Sequence, residues 1–276
     1  MSLRRVTNKF GTYVPLTLVA VILLVPLYWM VATALKSHEQ TFSIPPAWWP
    51  NPLRWDNFAR VFEEVPFARF TVNTLIIVAG NVVGQVLSTT LIAYGFARLR
   101  FPGRDKLFLL LLSTLMIPYQ ITLVPRFILF AKLGWINTYL PLIVPAFTGN
   151  AFMIFMVRQY MMSIPLDLDE AATIDGASRW QILWKVILPL CKPVLALVVV
   201  FTFTWVWNDF MSPLIYLNDP NTFTVSLGLN FFRGAKETSW ELLMAASLLA
   251  TLPPLLVFFF AQRRLVGGIA ATGLKG

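Results

Sequence analysis

The 276-residue sequence is 57% hydrophobic and only 13% charged, against about 25% charged in soluble domains, which leaves too little polar surface to cover a water-soluble globule. The chain therefore belongs in a bilayer, and its formal charge of +9 is read from the loops that collect Lys and Arg rather than as a nucleic-acid footprint. One cysteine, Cys191, and one histidine, His38, exclude an internal disulfide and a His/Cys metal site.

Cys191 is expected to pack as a small apolar residue, and His38 to sit in a solvated loop. A helix that crosses a bilayer needs about 20 mostly apolar residues, and six runs approach or meet that length. The first, Tyr13–Leu35, follows Arg4, Arg5 and Lys9 and ends near Ala32–Ala34, the look of a secretory signal with its cleavage site. Its apolar stretch exceeds the roughly 7–15 residues of a signal core, which predicts a retained anchor. Next comes "SIPPAWWPNPLRWDNF", whose prolines forbid a continuous helix. Trp48, Trp49 and Trp55 suit the headgroup level, and a short helix is expected near Trp55–Phe62. The remaining spans are Thr71–Ala97, Leu107–Phe130, the shorter and uncharged Tyr139–Val157, Val194–Tyr216 and Leu242–Phe260. Counted over alternate loops, fourteen Lys and Arg fall on one side and eight on the other, with "RLRFPGRDK" (Arg98–Lys106) the densest. Both termini are therefore expected to be cytoplasmic. The fold class is an all-α polytopic membrane protein, one domain of six transmembrane helices.

A polar module, "DLDEAATIDGASRWQILWKVILPL" (Asp167–Leu190), interrupts the apolar pattern on the side expected to be cytoplasmic. Asp167, Asp169 and Glu170 complement a helix N-terminus, and Gly176 is placed to end that helix. Ser178 and Gln181 then have the spacing of a capping box for a second helix, expected to stop at Pro189. Ala171, Ala172 and Ala177 permit close approach by another surface, and Glu170 and Asp175 offer carboxylates to basic partners. Docking of a partner and an amphipathic linker on the membrane are both open on these grounds, although membrane-surface helices favour Lys and Arg on their polar face.

"EAATIDGASRWQILWKVILP" (Glu170–Pro189) resembles the EAA loop of ABC-importer permease subunits: E-A-A, three residues, G, nine residues, I, one residue, L-P. Glu170, Ala171, Ala172, Gly176, Leu188 and Pro189 are in register, and Val186 stands at the isoleucine position. "FTWVWNDFMSPLIYL" (Phe203–Leu217), "YGFARLRFPGRDKLF" (Tyr94–Phe108) and "QRRLVGGIAATGLKG" (Gln262–Gly276) resemble the maltose-type carbohydrate permeases, specifically the smaller partner of the pair. The resemblance implies the type I fold of binding-protein-dependent permeases in a bacterial inner membrane. Residues 163–189 would form a coupling loop, with Glu170, Ala171, Ala172, Asp175 and Gly176 seated on an ATP-hydrolysing subunit. It further implies a second permease, two ATP-binding subunits and an extracellular solute-binding protein. Residues 262–276, glycine-rich and expected to be flexible, would reach the ATPases through Gly273, Leu274 and Lys275; a frayed terminus is the other reading.

Within the spans, a central Asp costs roughly 2.5–3.5 kcal/mol on insertion scales, so Asp209 and its neighbour Asn208 should face a cavity, a partner or the interface. They either line the solute route, with Trp205 and Trp207 offering flat faces, or bond to a neighbouring helix. Asn81, Gln85, Gln120 and Asn150 are weaker candidates of the same kind. The prolines of "IPYQITLVP" (Ile117–Pro125) are spaced to distort their helix. There is no G-x-x-x-x-G-K-[ST] loop and no catalytic constellation. The chain is thus expected to be non-enzymatic and without a cofactor, with ATP and Mg used by partner subunits. An ion-driven transporter would show intramembrane ionisable groups in repeated halves, whereas Asp209 has no second copy. A glycerol-phosphate-type solute would call for a cation on the route, for which Arg126 is the in-span candidate.

Overall fold

The computed structural model describes residues 3–234 and 238–273, with side chains described for residues 13–234 and 238–262. All regular elements among them are helical. Four helices are long and apolar enough to cross a membrane, and two further pairs qualify if each bent pair is one span.

The described residues fall into two compact units. The first combines the chain up to Phe67 with Leu229–Leu252. Its main element, α1 (Leu3–Ala34), is followed by the single turn α2 (His38–Thr41), which Ser37 and Gln40 hold by a capping box. The Trp- and Pro-rich segment folds against it: Tyr28 donates to the Trp48 carbonyl at 2.8 Å, and Trp29 meets Trp48 edge to face at 5.3 Å. The expected short helix is α3 (Asp56–Glu64), and its buried Asn57 donates to the carbonyls of Ala34 and Lys36 at 2.9 and 2.8 Å. These bonds satisfy the open C-terminal end of α1. Lys36 is buried with its ammonium 4.0 Å from the Trp29 ring centroid, and burial pushes its pKa down. His38 is not the freely solvated residue expected: its Nδ1 lies 3.2 Å from Oε1 of buried Glu241.

The second unit comprises Ala68–Gly228 and the chain from Pro253 onward. Its principal helix is α4 (Phe67–Arg98). Gly80, Gly84 and Ser88 recur every four residues along it, the small-residue stripe by which helices approach closely in lipid. A Cβ at Gly80 would lie 2.7 Å from Ile143, and one at Gly84 2.7 Å from Phe147. Asn81 and Ser88 donate to the carbonyls of Leu142 and Ala146 at 2.8 and 2.9 Å.

Three of the expected spans are not continuous helices. The third is broken into α5 (Arg104–Ser113), a 3₁₀ turn over Thr114–Met116 and α6 (Tyr119–Lys132), bent by 97° where Pro118 cannot continue the ladder. The fourth starts as α7 (Leu140–Ile143), tightens into 3₁₀ over Val144–Thr148 under Pro141 and Pro145, and resumes as α8 (Ala151–Met162). After α8 come α9 (Asp167–Ile174), α10 (Arg179–Gln181), a π-helical stretch Ile182–Ile187 and α11 (Leu188–Leu190). The fifth run then holds α12 (Lys192–Trp207) and α13 (Met211–Tyr216), separated at Asn208–Phe210. The short α14 (Val225–Gly228) closes the loop, and α15 (Trp240–Gly273) ends the described chain. The backbone of residues 262–273, expected to be flexible, is helical and continues α15 through Gly267 and Gly268. Gly273 is its last residue, and Leu274 and Lys275 lie outside the described residues.

The core of this unit joins Ala93 and Tyr94 of α4, Met153, Ile154, Val157 and Met161 of α8, Ile182, Leu183 and Ile187 of the π stretch, and Val194 and Val198 of α12. Cys191 is buried among them, as a small apolar residue would be.

Candidate functional site

The polar module folds as its sequence dictates. Three acids occupy the first turn of α9, where they offset the partial positive charge of the helix end. Its C-terminus closes with a Schellman pair: Ala177 N–H donates to the Ala172 carbonyl at 2.9 Å and Gly176 N–H to Thr173 at 3.0 Å. That closure puts Gly176 at φ +81°, the left-handed region where a side chain is strained. Ser178 Oγ accepts from Gln181 N–H at 3.3 Å, and the Gln181 side-chain Oε1 accepts from Ser178 N–H at 2.8 Å, completing the capping box. The second limb passes Pro189 and ends at Leu190, one residue later than the sequence suggested. Proline is tolerated there because it stands in the first turn of α11, where an N–H is not needed.

The module has two faces. Ala172 and Ala177 pack on the core described above. Glu170, Ala171, Asp175 and Gly176 are exposed, so the four form an outward ridge of acids and small residues. Ile174 joins them at 86% exposure, flanked by exposed Leu166 and Leu168. Sequence reasoning passed over these three apolar residues; their signal was an aliphatic side chain inside an otherwise acidic and small-residue helix.

A cavity of about 840 Å³ lies deeper in the same unit. It brings together most of the intramembrane candidates: Asn81, Gln85, Asn150, Trp205, Asn208, Asp209 and Arg126 all line it. Gln120 does not, being exposed on α6 beside Tyr119, which does line the cavity. Trp207 is turned into the packed interior and stacks on Phe203 at 5.5 Å, whereas Trp205 is half exposed and stacks on Phe201 at 5.9 Å.

Asn208 and Asp209 are not inside a helix, as the apolar run implied; they occupy the break between α12 and α13. Asn208 donates to the Thr204 carbonyl at 2.8 Å, and Asp209 Oδ1 accepts from Ser212 N–H at 3.1 Å. Asn150 caps α8 by accepting from the N–H groups of Phe152 and Met153 at 3.0 and 3.2 Å. Each therefore serves the backbone of its own segment, rather than a neighbouring helix, while lining the space.

Two residues of the lining carry hydroxyls that the sequence did not mark. The hydroxyls of Thr202 and Tyr216 are buried and have no hydrogen-bond partner among the described residues. Such groups cost about 1–3 kcal/mol unless something fills the bond. Thr202→Val and Tyr216→Phe are thus expected to leave thermal stability unchanged or slightly raised, measured as the melting temperature of the purified protein.

Residues 89–270 match the family described as "Binding-protein-dependent transport system inner membrane component". The galactooligosaccharides transport system permease protein GanQ of Bacillus subtilis is 33% identical over 100% of this chain and 99% of its own length. The sn-glycerol-3-phosphate transport system permease protein UgpE of Yersinia enterocolitica is 31% identical over 93% of this chain and 94% of its own. Among solved structures, a subunit of a bacterial ABC transporter involved in import of the acidic polysaccharide alginate shares the fold. Its TM-score is 0.84 at 22% identity, covering 95% of this chain and 98% of that one.

Proposed function

The chain belongs to the family of binding-protein-dependent transport system inner membrane components, and from that premise we propose that it carries a carbohydrate across the inner membrane as one of two permeases driven by separate ATP-hydrolysing subunits. The 163–189 module is the docking element for those subunits and faces the cytoplasm. One observation carries this reading: a capped helix–turn–helix with its underside in the protein core and an acidic, small-residue ridge left exposed. Closure of ATP-bound partners would displace this ridge and open the route outward, and hydrolysis would return it.

An extracellular binding protein would deliver the solute. The cavity suits a hydroxylated solute, because its lining offers amides, the hydroxyl-bearing Tyr119 and Ser212, and the flat face of Trp205. GanQ, by its name, belongs to a system for galactooligosaccharides. A second reading follows from Arg126, a cation on the cavity wall, and from UgpE, named for sn-glycerol-3-phosphate. Uptake by the transporter reconstituted in liposomes separates the two. Competition by neutral oligosaccharides, with little effect of Arg126→Gln, supports the carbohydrate. Competition by sn-glycerol-3-phosphate, lost in Arg126→Gln by about tenfold or more as for a charged hydrogen bond, supports the phosphate ester.

A further inference from the structure

Asp169 directly precedes Glu170, yet its side chain is only 8% exposed. Beside it stands Arg98, the last residue of α4, with its side chain 2% exposed and Nη1 at 3.6 Å from Asp169 Oδ2. The other terminal nitrogen of Arg98 donates to the carbonyl of Ile164 at 2.9 Å, just ahead of α9. One turn earlier on α4, the Tyr94 hydroxyl donates to the Arg179 carbonyl at 3.2 Å. The end of α4 thus holds both limbs of the module.

Stability alone does not account for a buried ion pair, since apolar replacements are often as stable or more so. The geometry here is also unusual. Neither Asp169 oxygen accepts a hydrogen bond, and Arg98 Nε donates none, among the described residues. Charge without directional bonding permits small rotations, but separating the two would strand a buried carboxylate. Resistance to separation combined with freedom to tilt is the property of a joint.

We propose that Arg98 and Asp169 are a positioning pair that makes the docking helix and the second span move as one body. Displacement of α9 is then delivered to α4, and along about 20–25 Å of that helix to Gln85 and Asn81 on the cavity wall. This inference rests on the docking role given to residues 163–189.

The test is ATP hydrolysed per solute imported by the complete transporter in liposomes. For Asp169→Asn the ratio is expected to rise about tenfold, within the span over which residues along a coupling route act, with the ATPase still co-purifying. Exchanging the charges, Arg98→Asp with Asp169→Arg, is expected to restore the ratio to within about threefold. A merely structural pair would change the amount of folded transporter and leave the ratio alone. A normal ratio in Asp169→Asn, or an exchanged pair as uncoupled as the single variant, overturns the proposal. Should Asp169→Asn not accumulate, Arg98→Lys must stay coupled and Arg98→Gln must not; equal ratios in those two overturn it as well. Failure of any ATPase to accompany the wild-type chain would instead refute the docking role itself.

Discussion

Gly176→Leu is expected to abolish solute-stimulated ATP hydrolysis by the assembled transporter, by at least about tenfold, while the variant inserts normally. The reason lies in backbone conformation rather than space. A Cβ at Gly176 meets nothing within 4 Å, so no neighbour is pushed. The residue's φ of +81°, however, is imposed by the Schellman closure of α9 and the capping box of the next helix. An L-residue there costs about 1–2 kcal/mol. Relief of that strain would re-aim the ridge of Glu170, Ala171 and Asp175 away from the partner. Gly176→Asn is a built-in control, because Asn tolerates the left-handed region and should retain most of the stimulation. ATP hydrolysis with and without solute, normalised to transporter in the membrane, measures both variants.

Gly228→Ala is expected to destabilise the second unit by about 3 kcal/mol, at the upper end for overpacking, and to lower its amount in the membrane. The added Cβ would lie 2.2 Å from Cδ2 and 2.6 Å from Cε2 of Phe70. Phe70 is fully buried, so its ring has nowhere to swing. The glycine cannot yield either: its N–H donates to the Thr224 carbonyl at 2.7 Å, and Val225 N–H donates to Thr74 Oγ1 at 2.9 Å. Gly84→Ala offers the contrast. Its Cβ would meet Phe147 at 2.7 Å, but that ring is half exposed and free to turn, so a milder loss is expected. Melting temperatures of the purified variants measure the difference, and Phe70→Leu combined with Gly228→Ala should recover much of it.

Local chemistry made some of this architecture legible in the sequence and concealed the rest. The helix–turn–helix of residues 167–190 could be read because its acids, Gly176 and the Ser178–Gln181 pair each have a short-range backbone task. Asn208 and Asp209 announced themselves by the cost of polarity in an apolar run. What could not be read were features decided by distant packing. The prolines of Ile117–Pro125 announced a distorted helix, and the chain bends by 97° there; hydropathy counts residues without regard to direction, so the break after Trp207 was hidden inside a run of normal length. Thr202 sits in "VVVFTFTW" and Tyr216 in "PLIYL", where nothing local marks a hydroxyl without a partner. Asp169 and Glu170 are adjacent acids in the sequence; only the position of Arg98 separates a buried charge from an exposed one.

The most direct test of the central claim, that residues 163–189 dock a separate ATPase, is gentle purification of this chain from its native membrane beside Glu170→Lys. Reversing the charge of an exposed side chain on α9 leaves the packed underside untouched, so the variant should be present in normal amount. An ATP-hydrolysing subunit and a second permease are expected to accompany the wild-type chain, and the ATPase to be lost from the variant. Recovery of the chain alone, with solute uptake intact in vesicles lacking ATP, would contradict it.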